Sequence, residues 1–192
     1  ELLGSSANDT LAGGAGADTL TGGAGIDEFN VDEDTDTITD LGTGGADVVK
    51  VAAQATANAT VINTTGYTAT AGSSNAGVLN VTLDAAVLDD KTVNFAVLSG
   101  ANGVNLTGND ENNILYGSAQ DDTIRGGGGF DFITGGVGDD TLYGGHGDDR
   151  MQGGSNNDFI YGEEGNDTID GNDGNDTITG GAGADSLTGG TS

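Results

Sequence analysis

The chain has 192 residues, with 4 Lys and Arg against 31 Asp and Glu, and a formal net charge of −27. Charge of that sign and size argues against nucleic acid and against unaided binding to an anionic membrane, and it opposes a compact state unless cations neutralise it. With no Cys and a single His, disulfides, thiolate metal sites and a zinc ligand set are excluded too.

Aromatic residues make up 5% of the chain and Trp is absent, so a thick globular core is hard to build. No run of 18 apolar residues reads as a membrane-spanning helix. Low hydrophobicity with high charge normally spells disorder, but the 38 glycines fall in phase instead of scattering as in a flexible linker. The chain starts at Glu1 and both its ends lie beside repeats, so it is expected to be a piece of a larger protein.

In chain order, a short array fills residues 1–42. Its units are GSSANDTLA (4–12), GGAGADTLT (13–21), GGAGIDEFN (22–30) and a degenerate VDEDTDTIT (31–39) that keeps Asp36 and Ile38 in phase. Residues 43–98 leave the beat and are rich in Val, Thr and Ala. Alternation in VLNVTL and TVNFAV predicts strands there, and GYTATAGSSNAG (66–77) reads as a turn or loop between them. Arrays on both sides can cap and template this segment, so it is expected to continue the same solenoid. The second array fills 99–192, opening with a degenerate SGANGVNLT (99–107) and then keeping strict phase over nine units from 108 to 188.

The unit is Gly-Gly-x-Gly-x-Asp-x-U-x, with U a large aliphatic. In the strict array position 1 is always Gly, position 6 is Asp in eight of nine units with Asn113 the exception, and position 8 is Leu, Ile or Met throughout. Glycine at positions 1, 2 and 4 permits a turn with left-handed backbone. Asn156 at position 4 can replace it, whereas Glu111 and Gln120 are not obvious substitutes. Positions 7 to 9 form a short strand in which position 8 faces inward: Leu115, Ile124, Ile133, Leu142, Met151, Ile160, Ile169, Ile178 and Leu187. Two nonapeptide units make one coil, giving an all-β parallel β-roll with two sheets around a thin core. One aliphatic per unit is too little to hold such a coil, so metal at the turns is expected to contribute.

Repeats of this form are calcium-binding β-helix elements. Calcium takes six to eight oxygens from carboxylates and carbonyls in flexible geometry, whereas magnesium demands a tight octahedron. One turn offers half a shell and the turn two units on offers the rest. One edge should carry Asp122, Asp140, Asp158 and Asp176, the other Asp131, Asp149, Asp167 and Asp185. The short array adds Asp9 with Asp27 and Asp18 with Asp36. Each adjacent pair would enclose one Ca2+, about eight in all.

These units resemble the RTX (repeats-in-toxin) nonapeptide arrays of bacterial type I secretion substrates, closely over 4–39 and 108–190 and hardly at all between. The resemblance implies a calcium-filled β-roll, unfolded in low cytosolic calcium, exported, and folded outside the cell. Members usually end in a further segment with an export signal, which the final GGTS does not supply.

The remaining candidates have simpler readings. The side chains at position 5 (Asp121, Asp139, Asp148, Asn157, Asn166, Asn175) are expected to support the turn more than to ligate. His146 reads as a surface turn residue, with no nucleophile in fixed relation to it. Tyr143 and Tyr161 should stack on one face, and Tyr116 with Phe132 on the other, as cross-strand pairs or as a binding surface. Together these observations predict a non-catalytic, calcium-binding structural module of a secreted or cell-surface protein such as a surface layer, filament or adhesin. Copies of itself or a cell-surface polysaccharide are the candidate partners. The alternative is an accessory export, folding or polysaccharide-binding module of a secreted protease, lipase or alginate epimerase.

Overall fold

The computed structural model describes residues 1–31, 34–41, 47–52, 55–61, 67–68, 73–83, 91–94 and 98–191. Apolar and polar residues alternate over a few positions and then meet a glycine-rich turn, which limits every element to a short strand; the described residues contain no helix. A ten-stranded parallel sheet starts at Leu2–Leu3 and Thr19–Thr21 and runs through Thr35–Leu41, Thr56–Val61, Val78–Leu83 and Val104–Thr107. It continues through Thr123–Gly128, Thr141–His146 and Phe159–Glu164 to Thr177–Ala182. A seven-stranded sheet extends from Tyr67–Thr68 to Ser186–Thr188, and a five-stranded sheet from Thr10–Ala12 to Ser99–Gly100. In the second array Ile124, Leu142, Ile160 and Ile178 lie in register on successive coils. The protein is thus an all-strand parallel β-solenoid with two nonapeptide units per coil in its arrays.

The strands of the strict array are longer than expected. Thr141–His146 and its counterparts cover positions 7 to 9 of one unit and 1 to 3 of the next. The glycines stay on the ladder, with Gly127, Gly145 and Glu163 paired in sequence, so the true turn shrinks to positions 4 to 6.

Between the arrays the coils widen beyond two nonapeptide units. Val78 pairs with Thr56 on one side and Leu79 with Val104 on the other. Each of these coils visits all three sheets, as in Thr56–Val61, Tyr67–Thr68 and Ser74–Asn75. The expected loop at 66–77 therefore contains two short strands, while 66 and 69–72 lie outside the described residues. Ser74 and Asn75 carry no alternation; their pairing with Lys50 and Val51 on one side and Ser99 and Gly100 on the other makes them strand. VLNVTL is the strand Val78–Leu83. Of TVNFAV, the segment TVN lies in Lys91–Asn94 and the rest lies outside the described residues.

Position 8 side chains from Leu115 to Ile169 are sealed in one core between two stacks, Leu115, Ile133, Met151 and Ile169 on the seven-stranded sheet facing Ile124, Leu142 and Ile160 on the ten-stranded one, where Leu20, Ile38, Leu79 and Leu106 continue the stack. Ile178 is half-buried and Leu187 is 49% exposed although they pair with the buried Ile160 and Ile169, because Leu187 sits on the outermost strand of its sheet. On the outer faces, like residues align. Asn105 donates to Asn80 and Asn80 to Asn58 (2.7 and 2.8 Å). Tyr143 and Tyr161 stack at 5.2 Å with Arg125 over the free face of Tyr143. Tyr116, Phe132 and Arg150 form the matching row on the other sheet.

Candidate metal centre

The aspartates at position 6 close each turn, and two ladders hold them. Their carbonyls accept the N–H of position 7 one coil on, as in Thr141 N–H to Asp122 O at 2.9 Å. Their own N–H groups donate to the Oδ1 of the aspartate one coil later. One column runs Asp122, Asp140, Asp158, Asp176 with distances of 2.8, 2.8 and 2.9 Å. The other runs Asn113, Asp131, Asp149, Asp167, Asp185 at 2.8, 2.8, 2.9 and 3.0 Å. In the short array Asp9 donates to Asp27 and Asp18 to Asp36. All twelve sequence-predicted aspartates therefore fall into edge columns, in the expected groupings.

The side chains at position 5 form a second ladder running the opposite way. The N–H of Asp139 donates to Asp121 Oδ1, that of Asn157 to Asp139 Oδ1, and that of Asn166 to Asp148 Oδ1. Adjacent N–H groups thus tie each turn to the coil before and the coil after.

The second carboxylate oxygen of the position 6 column has a different fate. The Oδ2 atoms of Asp27, Asp131, Asp140, Asp149, Asp158, Asp167 and Asp176 are buried without a hydrogen-bond partner. An orphaned buried carboxylate oxygen is costly, and here seven recur in register. From Asp131 to Asp176 each lies against a glycine that has no Cβ and near a carbonyl of the next coil: a Cβ built on Gly135 would lie 2.3 Å from Asp140 Oδ2 and 2.7 Å from the Gly153 carbonyl oxygen. Gly126, Gly144, Gly153, Gly162 and Gly171 border the same pairing of one carboxylate and one carbonyl oxygen. Among the described residues no three His, Cys, Asp or Glu side chains converge. A bound ion would therefore take single carboxylates plus carbonyls, an all-oxygen donor set that suits a hard cation of flexible coordination.

Electrostatics point the same way. Burial raises the Asp140 carboxyl to about 8, with Asp122 and Asp158 adding like-charge repulsion against the hydrogen bond from Asp122. Burial likewise lifts Asp131 to about 7 and Asp149 and Asp158 to about 6, and raises Asp122 and Asp167. Without a counter-ion the columns resist ionisation.

The RTX calcium-binding nonapeptide repeat pattern matches the chain four times, over residues 3–38, 105–133, 125–160 and 161–191. The chain belongs to the RTX calcium-binding repeat family. No curated protein matches it. As an RTX β-roll it is a calcium-binding structural module, and the orphaned oxygens fit that ion.

Sequence spacing missed three contributors. Asp47, buried, accepts the Asp27 N–H at 2.9 Å and so extends the Asp9–Asp27 column across a coil lengthened to 20 residues. The run Asp47-Val48-Val49 repeats the Asp-x-aliphatic ending of a unit and could have revealed it. Asp40 accepts the N–H groups of Gly22 and Gly23 (2.9 and 2.6 Å). Val104 takes the position 6 place before Asp122, donating its N–H to Asp122 Oδ1 and ending the acidic column there. His146 is exposed at a strand end, 3.0 Å from Glu164.

Proposed function

We propose that this RTX roll serves as a calcium-stiffened structural segment of a secreted bacterial surface protein, such as a surface layer, filament or adhesin, that folds outside the cell when calcium binds. The observation that carries the reading is the file of buried, unpartnered aspartate oxygens, those from Asp131 to Asp176 each beside a backbone carbonyl. Asp27, Asp131, Asp140, Asp149, Asp158, Asp167 and Asp176 ligate through that oxygen, with Asp18, Asp36 and Asp185 completing their columns. Counting every adjoining pair, Asp9 and Asp122 included, gives about eight ions. Metal binding is then part of the folding free energy, and low calcium before export keeps the chain extended.

The outer faces favour assembly over sugar capture. Tyr143 has one face under Arg125 and the other against Tyr161, so neither is free to stack on a pyranose ring. Adding millimolar calcium to the chelated chain should produce a β signature in circular dichroism and, at higher protein concentration, filaments or sheets that chelator dissolves. A chain that stays monomeric at high calcium would remove the assembly role and leave the calcium-dependent fold.

A further inference from the structure

Three turns depart from the others in the same way. At position 2 they carry Ser5, Asn109 and Ser118 instead of glycine, and at position 4 Ala7, Glu111 and Gln120. None of these side-chain-bearing positions has a positive φ, whereas the glycine turns do at both places, as in Gly145 (115°) and Gly147 (120°). Even Glu163 and Asn172, which occupy position 2 with a side chain, keep the left-handed backbone (77° and 68°). The turn type thus differs, not merely the residue.

In all three, the turn bonds to itself. The N–H of Ser5, Asn109 and Ser118 donates to the side-chain oxygen of its own position 6 residue at 2.6, 2.9 and 2.5 Å. The position 4 N–H donates to the position 2 side chain at 3.1, 3.1 and 3.2 Å. Hydroxyl or amide donors complete the shell: Ser5 Oγ to Asp9 Oδ2 (2.9 Å), Ser118 Oγ to Asp122 Oδ2 (3.1 Å), and Asn113 Nδ2 to the Glu111 carbonyl (2.9 Å). Asp9 and Asp122 leave no buried orphan oxygen, and Asn113 carries no charge.

We propose that these three turns close without a cation, and that the side chains at positions 2 and 4 decide whether a turn takes one. The inference rests on the calcium reading of the remaining turns. In the glycine turns of Asp27, Asp131, Asp140 and Asp149 the second carboxylate oxygen is buried with no hydrogen-bond partner; in a serine turn the hydroxyl and the N–H stand in the metal's place. The closed turns are the first unit of the short array and the first two strict units of the second, so each array begins on metal-free turns against which calcium-loaded coils can stack. The pairs that include Asp9 and Asp122 then drop out of the count of about eight.

The test is the number of calcium ions per chain, measured by equilibrium dialysis at saturating calcium. Restoring the glycine pattern with the double change Ser118→Gly and Gln120→Gly frees Asp122, and the count should rise by one. Ser118→Thr, which keeps both donors, should leave it unchanged. The pair Ser5→Gly and Ala7→Gly repeats the experiment at Asp9, again with a gain of one. An unchanged count in both double variants overturns the proposal. So does failure of both to reach the β signature in calcium, because they then carry the same pattern as the turns that do fold. Wild-type chain that binds no calcium at all would instead overturn the calcium reading.

Discussion

Asp158 and Asp185 are chemically identical members of the two columns, and the structure predicts unequal losses when each becomes Asn. Asp158 lies between Asp140 and Asp176, accepts the Asp140 N–H at 2.8 Å and buries an unpartnered Oδ2. Asp158→Asn keeps the accepting oxygen, and with it the ladder, but replaces the orphaned one with an amide. If each adjoining pair encloses one ion, two sites are damaged. At a calcium concentration about 100-fold above Kd a lost site removes about 2.7 kcal/mol, so the loss is about 5 kcal/mol. Asp185 adjoins only Asp167 within the described column and is half-exposed, so Asp185→Asn removes about 2.7 kcal/mol. Asp158→Ala should cost a further ~1–3 kcal/mol, because the buried Asp140 N–H is left without an acceptor. Urea unfolding at fixed calcium reads all three. Equal losses for Asp158→Asn and Asp185→Asn would refute the sharing of ions along an edge.

Three further outcomes follow from the same geometry. Gly153→Ala would set a Cβ 2.3 Å from Asp158 Oδ2 and 2.7 Å from Gly171 O, so it should lower both the calcium content and the midpoint of thermal unfolding, whereas Gly189→Ala, with nothing within 4 Å, should change neither. Leu142→Ala empties a fully buried place in the aliphatic column and should cost about 2–5 kcal/mol, while Leu187→Ala, 49% exposed, should cost well under half of that by denaturant titration. In metal-free solution the raised carboxyls bind protons more tightly folded than unfolded, so their stabilising contribution is full below about pH 4, declines as pH rises, and is gone above about 6 to 8. Circular dichroism of the demetallated chain should therefore show more β structure at pH 5 than at pH 8; the reverse order would contradict the burial of these carboxyls.

How far the sequence could be read depended on whether a residue's partner lies at a fixed distance along the chain. The two-unit coil, the inward aliphatics and the two aspartate columns are all repeats of one period, so phasing the sequence places them. Leu187 stays half exposed because an edge strand has a neighbour on one side only, which no local pattern records. Ser74 and Asn75 are strand only through partners in the flanking coils, and Asp47 joins its column across a coil of 20 residues, where a search in steps of two units passes it by. Glu111 and Gln120 looked unsuited to position 4 of a glycine turn. They occupy a different turn, closed by Asn109 and Ser118, in which position 4 needs no left-handed backbone.

Each orphaned oxygen of the aspartate columns requires a cation against it. Crystals grown in calcium, with an anomalous difference map, test this requirement directly. A peak should lie beside the Oδ2 of Asp131, Asp140, Asp149, Asp158, Asp167 and Asp176, each with a backbone carbonyl from the adjoining coil in its shell. An ordered roll whose columns carry no peak, or whose peaks lie on the exposed position 5 ladder instead, would contradict it.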